Sequence, residues 1–190
     1  MENLLQQITD FATRAHGSQR RKFADEPYIN HPVRVMEICR EHTQDICLLA
    51  AALLHDVLED TSTSKEQMRD FLKSVMSNED SIRTLNIVVE LTDVYTKEQY
   101  PDLNRRQRKA KESERLAGVS AQAQNIKYAD IIDNSKNISN AETGFARIVL
   151  HEYKNLVKVM NAGNAELRRK AGETVDVYLK AVKQTSTQKK

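Results

Sequence analysis

The chain has 190 residues, 39% of them hydrophobic, and a formal net charge of +2. That is enough apolar material for one sizeable domain, not comfortably two, while the small net charge says little about partners. No apolar run approaches the length of a membrane span. The opening Met-Glu-Asn-Leu-Leu-Gln-Gln lacks a basic-then-apolar leader pattern, so a non-membrane, cytoplasmic protein is expected.

Five glycines, three prolines and no strand-like alternation point to an all-α fold of about eight to ten helices. Leu4, Leu5, Ile8, Phe11 and Ala12 line one face of a first helix ending near Gly17. Residues 20 to 29 read as a loop. A second helix carries Val33, Val35, Met36, Ile38 and Cys39, and the run from Ile46 to Leu58 reads as one buried helix. Ser62-Thr63-Ser64 caps a fourth, with Met68, Phe71, Leu72 and Val75 on its apolar side. A fifth holds Ile82, Leu85, Ile87, Val88 and Leu91. Residues 93 to 103, with Pro101, are irregular and could form a mobile flap. Next come a helix through the basic stretch, one bearing Asp130, and a long one with Phe145, Ile148, Val149, Tyr153, Leu156 and Val159 that Gly163 ends. The last spans Glu166 to Val182. With no repeat and no linker, residues 1–182 read as one domain and 183–190 as a frayed, flexible tail.

The chemistry concentrates at His55-Asp56-Val57-Leu58-Glu59-Asp60, directly after Leu48 to Leu54. Helix C-termini favour cations, so carboxylates gathered there need something positive, and a divalent metal supplies it. At about 100° per residue, Glu59 shares a face with His55 and Asp60 with Asp56. One pair can bind a metal while the other reaches a metal-bound water. His31, between Asn30 and Pro32, sits where an extended approach turns into a helix. Asp130 is an otherwise unexplained acid in a mostly apolar helix. Two imidazoles and two carboxylates suit Mn²⁺, Fe²⁺, Zn²⁺ or Co²⁺ better than Ca²⁺.

Tyr28, three residues before His31, either packs in the core or orients that histidine. His16 reads as a packing or loop-pinning residue; His42 and His151 read as surface or structural. Cys39 and Cys47 lack CxxC spacing and read as buried free thiols, in keeping with a reducing compartment. The segment NRRQRKAKESER, Asn104 to Arg115, carries six basic residues against two acids. It is either a solvated helix face or a basic wall near a phosphate-rich ligand. It has no aromatics to stack bases, so no nucleic-acid partner is expected.

Ala15-His16-Gly17-Ser18-Gln19-Arg20-Arg21-Lys22, Glu26-Pro27-Tyr28-Ile29-Asn30-His31-Pro32, Ala51 through Thr61, and Lys127-Tyr128-Ala129-Asp130 with Asn134 together resemble the HD-domain metal-dependent phosphohydrolases. More narrowly, they resemble the small alarmone hydrolases and the hydrolase domain of the stringent-response synthetase/hydrolase enzymes. The similarity runs from about residue 5 to about residue 160. The resemblance implies that His31, His55, Asp56 and Asp130 bind one Mn²⁺, and that Glu59 and Asp60 orient and deprotonate the attacking water. It implies that Arg21, Lys22 and Asn134 contact the substrate, guanosine tetra- or pentaphosphate. The implied reaction removes the 3′-pyrophosphate. No synthetase domain is expected after residue 160, which would make this a dedicated hydrolase that lowers alarmone levels. Asp133 stands where relatives often carry His or another large polar residue, and Asn137 where they often carry Thr. These departures leave open another nucleotide specificity, such as the 2′-phosphate of NADPH. A sensor that binds alarmone without cleaving it would have no need of Glu59 and Asp60.

Overall fold

The computed structural model describes residues 2–187. Their order is α1 (Glu2–His16), α2 (Asn30–Arg40), α3 (Ile46–Leu54), α4 (Val57–Asp60), α5 (Lys65–Val75), α6 (Asn78–Leu91), α7 (Arg105–Ala117), α8 (Ala121–Ile138), α9 (Thr143–Val159) and α10 (Ala165–Thr187). Among these residues the one extended pairing is an isolated antiparallel bridge between Arg20 and Pro27, so the expected all-α class holds. The first five residues of the stretch read as a tail continue α10, and 188–190 lie outside the described residues. No described helix is long and apolar enough to cross a membrane.

The helices gather into two compact units. One comprises Met1–Arg21 and Asp25–Thr92; the other comprises Lys22–Ala24 and Asp93–Lys190.

In the first unit α3 is the core. Cys47 to Leu54 are all buried, because α1, α2 and α6 pack around this helix. Burying a side chain the size of Leu49, Leu53 or Leu54 contributes about 1.5–3 kcal/mol each. Asp45 starts α3 by accepting the Cys47 N–H at 3.0 Å. Ser64 opens α5 with a capping box completed by Gln67, and Ser77 caps α6. Gly17 closes α1 at φ +53°, a left-handed value that glycine adopts without strain. Cys39 and Cys47 are buried and in no disulfide, and burial pushes their thiols up to about 12 and about 11.

The expected helix from Ile46 to Leu58 is interrupted. It stops at Leu54, and Asp56 sits at φ −95°, ψ −8° before α4 begins. The cause is local. The carbonyl of Ala52, which a continuing helix would offer to the Asp56 N–H, accepts instead from His55 Nδ1 at 2.8 Å.

In the second unit α8 lies against α9 and α10, and α7 against α9. Gln124 staples two chain turns: its amide donates to the carbonyls of Leu116 and Ala117, and its Oε1 accepts the Ala162 N–H at 2.8 Å. The Tyr128 hydroxyl donates to the Met160 carbonyl at 2.9 Å. The irregular segment 93–103 is held at its entry, because buried Glu112 accepts the N–H groups of Val94 and Tyr95 at 3.2 and 3.0 Å. Lys109 adds an ion pair to Asp93 at 2.9 Å.

Gly163 passes close to α8. A Cβ there would lie 2.6 Å from Asn125 Oδ1 and 2.7 Å from Tyr128 Cε2. Gly163→Ala is therefore expected to cost about 1–3 kcal/mol through overpacking. Thermal unfolding followed by circular dichroism should show a midpoint several degrees lower; an unchanged midpoint would mean that the turn yields freely.

Candidate metal centre

Each side chain of the site is fixed by a short-range reason. The Arg20–Pro27 bridge, with Tyr28 N–H donating to the Gln19 carbonyl at 2.9 Å, folds the loop back on the end of α1. Glu26 accepts both ends of the Arg34 guanidinium at 2.9 and 2.7 Å, tying the loop to α2. This delivers Tyr28 to the His16 ring, which stacks on it at 4.5 Å while His16 Nδ1 meets Gln19 Oε1 at 2.9 Å. His31 enters on the first turn of α2 and is fully buried. Pro32 follows it in that same turn, where a missing N–H costs nothing.

His31 Nε2 lies 3.5 Å from Asp56 Oδ2, and His55 Nε2 lies 3.1 Å from Asp56 Oδ1. The ligand atoms of these three residues all fall within 4.8 Å of one another. A backbone carbonyl can only accept, so His55 Nδ1 must carry the proton it gives to Ala52. In the neutral ring that leaves Nε2 as the lone-pair nitrogen, facing a carboxylate. A lone pair and an anion repel unless a cation lies between them, so the donor set fits a divalent metal. The Tyr28 hydroxyl lies 2.8 Å from Asp56 Oδ2 and 2.6 Å from Asp60 Oδ2, so one phenolic proton serves two carboxylates. Burial and both carboxylates push the phenol far above its ordinary value, which keeps it a donor. Burial raises Asp60 as well, against the lowering effect of the Tyr28 hydrogen bond.

The HD-domain family model matches residues 9–156. The chain belongs to the HD-domain family. The chain is also 31% identical over 171 residues to the guanosine-3′,5′-bis(diphosphate) 3′-pyrophosphohydrolase MESH1 of Mus musculus, covering 86% of this chain and 88% of that protein. The Xenopus tropicalis protein of the same name is 32% identical over 176 residues, 88% and 90% of the two chains. A solved structure described as a metazoan ortholog of SpoT that hydrolyzes ppGpp superposes with a TM-score of 0.75 at 28% identity, over 90% of this chain and 93% of that one.

Within this HD domain, His31, His55, Asp56 and Asp60 come together in the first unit, and Tyr28 joins them. Arg21 belongs to the same unit, with its guanidinium 5.2 Å from the Tyr28 ring centroid. Glu59 occupies α4 between Leu58 and Asp60. Asp130, Asn134 and Lys22 belong to the second unit. There Asp130 is buried, its Oδ2 2.9 Å from Lys127 Nζ and its Oδ1 accepting from the Asn134 amide. Lys22 Nζ lies over the rings of Phe23 and Phe145 at 5.3 and 5.7 Å. Asp133 is buried on α8. His16 reads from sequence as a packing or loop-pinning residue, and its stacking on Tyr28 of the loop agrees with that, although spacing held no sign of Tyr28 as the partner. The bridge from Tyr28 to Asp56 and Asp60 was likewise invisible, because it spans 28 and 32 residues of sequence.

Tyr28→Phe removes one hydroxyl from a carboxylate pair and leaves the ring. It should weaken divalent-ion affinity by about 10–100-fold, the usual loss when a ligand's supporting hydrogen bond is removed. Isothermal titration with Mn²⁺ reads this directly, and an unchanged affinity would show that Asp56 needs no such support.

Proposed function

We propose that this HD domain is a Mn²⁺-dependent hydrolase that removes the 3′-pyrophosphate from guanosine tetra- and pentaphosphate, giving GDP or GTP and pyrophosphate. The observation that carries this reading is the convergence of two imidazole nitrogens on Asp56 beside Asp60, in a chain whose relatives along nearly their whole length are named for that activity. His31, His55 and Asp56 would hold the ion, and Asp130 would be its fourth ligand, as the resemblance of Lys127-Tyr128-Ala129-Asp130 to the family pattern implies. When bound, a divalent ion lowers the pKa of its water toward about 7 in the strongest cases.

The remaining work falls to the chain's own groups. Glu59 and Asp60 orient the water and accept its proton as its oxygen bonds to the phosphorus attached to the ribose 3′ oxygen. That phosphorus–oxygen bond breaks, and the 3′ oxygen leaves and takes up a proton. Tyr28 holds the Asp60 carboxylate in place by hydrogen bonding to it. Arg21 can stack on a purine and bind phosphate as well, Lys22 supplies a point charge, and Asn134 acts on the substrate beside Asp130. We take residues 1–182 as one functional domain, since the family match runs through both units. Buried free thiols go with a cytoplasmic setting.

A nucleotide panel with Mn²⁺, resolved by anion-exchange chromatography, tests this reading. Guanosine tetraphosphate should be cleaved to GDP and pyrophosphate, chelation should abolish turnover, and Asp56→Ala should do so without unfolding. Release of orthophosphate from NADPH with guanosine tetraphosphate untouched would transfer the reading to that substrate.

Glu59→Gln and Asp60→Asn separate chemistry from binding. Each is expected to lower kcat by at least about a hundredfold, the lower end of general-base contributions. Metal content by plasma emission and KM should change little. Loss of the ion from either variant would make that residue a ligand instead.

A further inference from the structure

The second unit carries a groove of about 910 Å³ between α7 and α9. We propose that it binds the phosphates of a nucleoside di- or triphosphate. Arg105, Arg106 and Lys109 of α7 and Arg147 of α9 place four permanent positive charges around it, against one carboxylate, Glu152. Two of the four are already matched: Arg105 gives Glu152 two hydrogen bonds at 3.1 and 2.7 Å, and Lys109 meets Asp93 at 2.9 Å. Arg106 and Arg147 enter no ion pair among the described residues, so two exposed guanidinium forks face a common groove with nothing anionic to bind. A guanidinium matches a phosphate with two parallel hydrogen bonds, which makes an oligophosphate the complementary ligand.

The floor narrows the class further. Ile148 is 55% exposed within the groove, beside Ala110 and Gly144. An apolar floor inside a cationic rim suits a ligand with a flat organic part as well as charge. The volume lies within the about 300–1,000 Å³ usual for small-molecule sites and far exceeds one phosphate. The one aromatic ring in the lining is that of His151, with no Phe, Tyr or Trp beside it, which disfavours the base-by-base stacking of a nucleic-acid strand. None of these residues belongs to the metal-ligand set or its supports. The inference therefore stands apart from the catalytic reading.

The test is an amide-resolved NMR titration of the full chain with ADP in excess EDTA at low salt. Shifts are expected at Ala110, Ser113, Gly144 and Ile148. The dissociation constant should rise at least tenfold in Arg106→Ala/Arg147→Ala, and binding should weaken with added salt. Adenosine, lacking phosphates, should leave these amides unmoved. Both arginines are exposed and make no ion pair among the described residues, and far-UV circular dichroism checks that the variant folds; Arg147→Glu is the alternative if it does not. The proposal is overturned if shifts are confined to residues 16–31 and 55–60, or if the double variant binds as tightly as the parent. It is overturned equally if adenosine binds as well as ADP, or if single-stranded RNA or an acidic peptide moves the groove amides and ADP does not. Since hydrolysis is not assayed, these outcomes are independent of whether guanosine tetraphosphate is cleaved.

Discussion

The hydrogen bond from His55 Nδ1 to the Ala52 carbonyl does two things at once. It occupies the acceptor that would have extended α3, so the chain leaves the helix just ahead of Asp56. It also puts the imidazole proton on Nδ1, which turns Nε2 toward Asp56. Breaking the helix and choosing the tautomer are thus one event. The cost of an interrupted helix is borne by a segment whose flanks, Ala50–Leu54 and Val57, are fully buried and have nowhere else to go.

From that point the site is built outward by pairing donors with acceptors. Asp56 faces two imidazoles on one side and a phenol on the other, and the phenol reaches Asp60. Tyr28 can do this because its ring is trapped between His16 and the loop, while the Glu26–Arg34 pair fixes the loop on α2. Within the second unit Asp130 is organised separately, neutralised by Lys127 and held by Asn134. Asn134 in this arrangement is a hydrogen-bond donor to Asp130, which sets how it can meet a ligand.

Much of this was legible from residue order. Helix periodicity and capping serines marked α1, α2 and α5 to α10, and the density of His and Asp near a buried run singled out His31, His55 and Asp56, which the fold brings together. The break after Leu54 was not legible, since apolar periodicity continues through Val57 and Leu58 and only the His55 side chain interrupts the backbone ladder. Ile82 and Ile148 carry the right spacing for a core face yet stay 48% and 55% exposed, because periodicity gives a stripe and not what covers it. Glu112 was hidden in a basic run, where its burial and its hold on Val94 and Tyr95 depend on a segment distant in sequence.

The two thiols of the first unit sit against the helices that carry the site: Cys39 on α2 behind His31, and Cys47 on α3 ahead of His55. Burial leaves almost none of either as thiolate at neutral pH, so the folded chain offers oxidants and alkylating reagents little to attack. Reaction at these sulfurs then requires α2 or α3 to open, and its rate counts those openings. The same burial that makes the thiols chemically quiet makes them built-in reporters of how often the helices beneath the candidate metal centre give way.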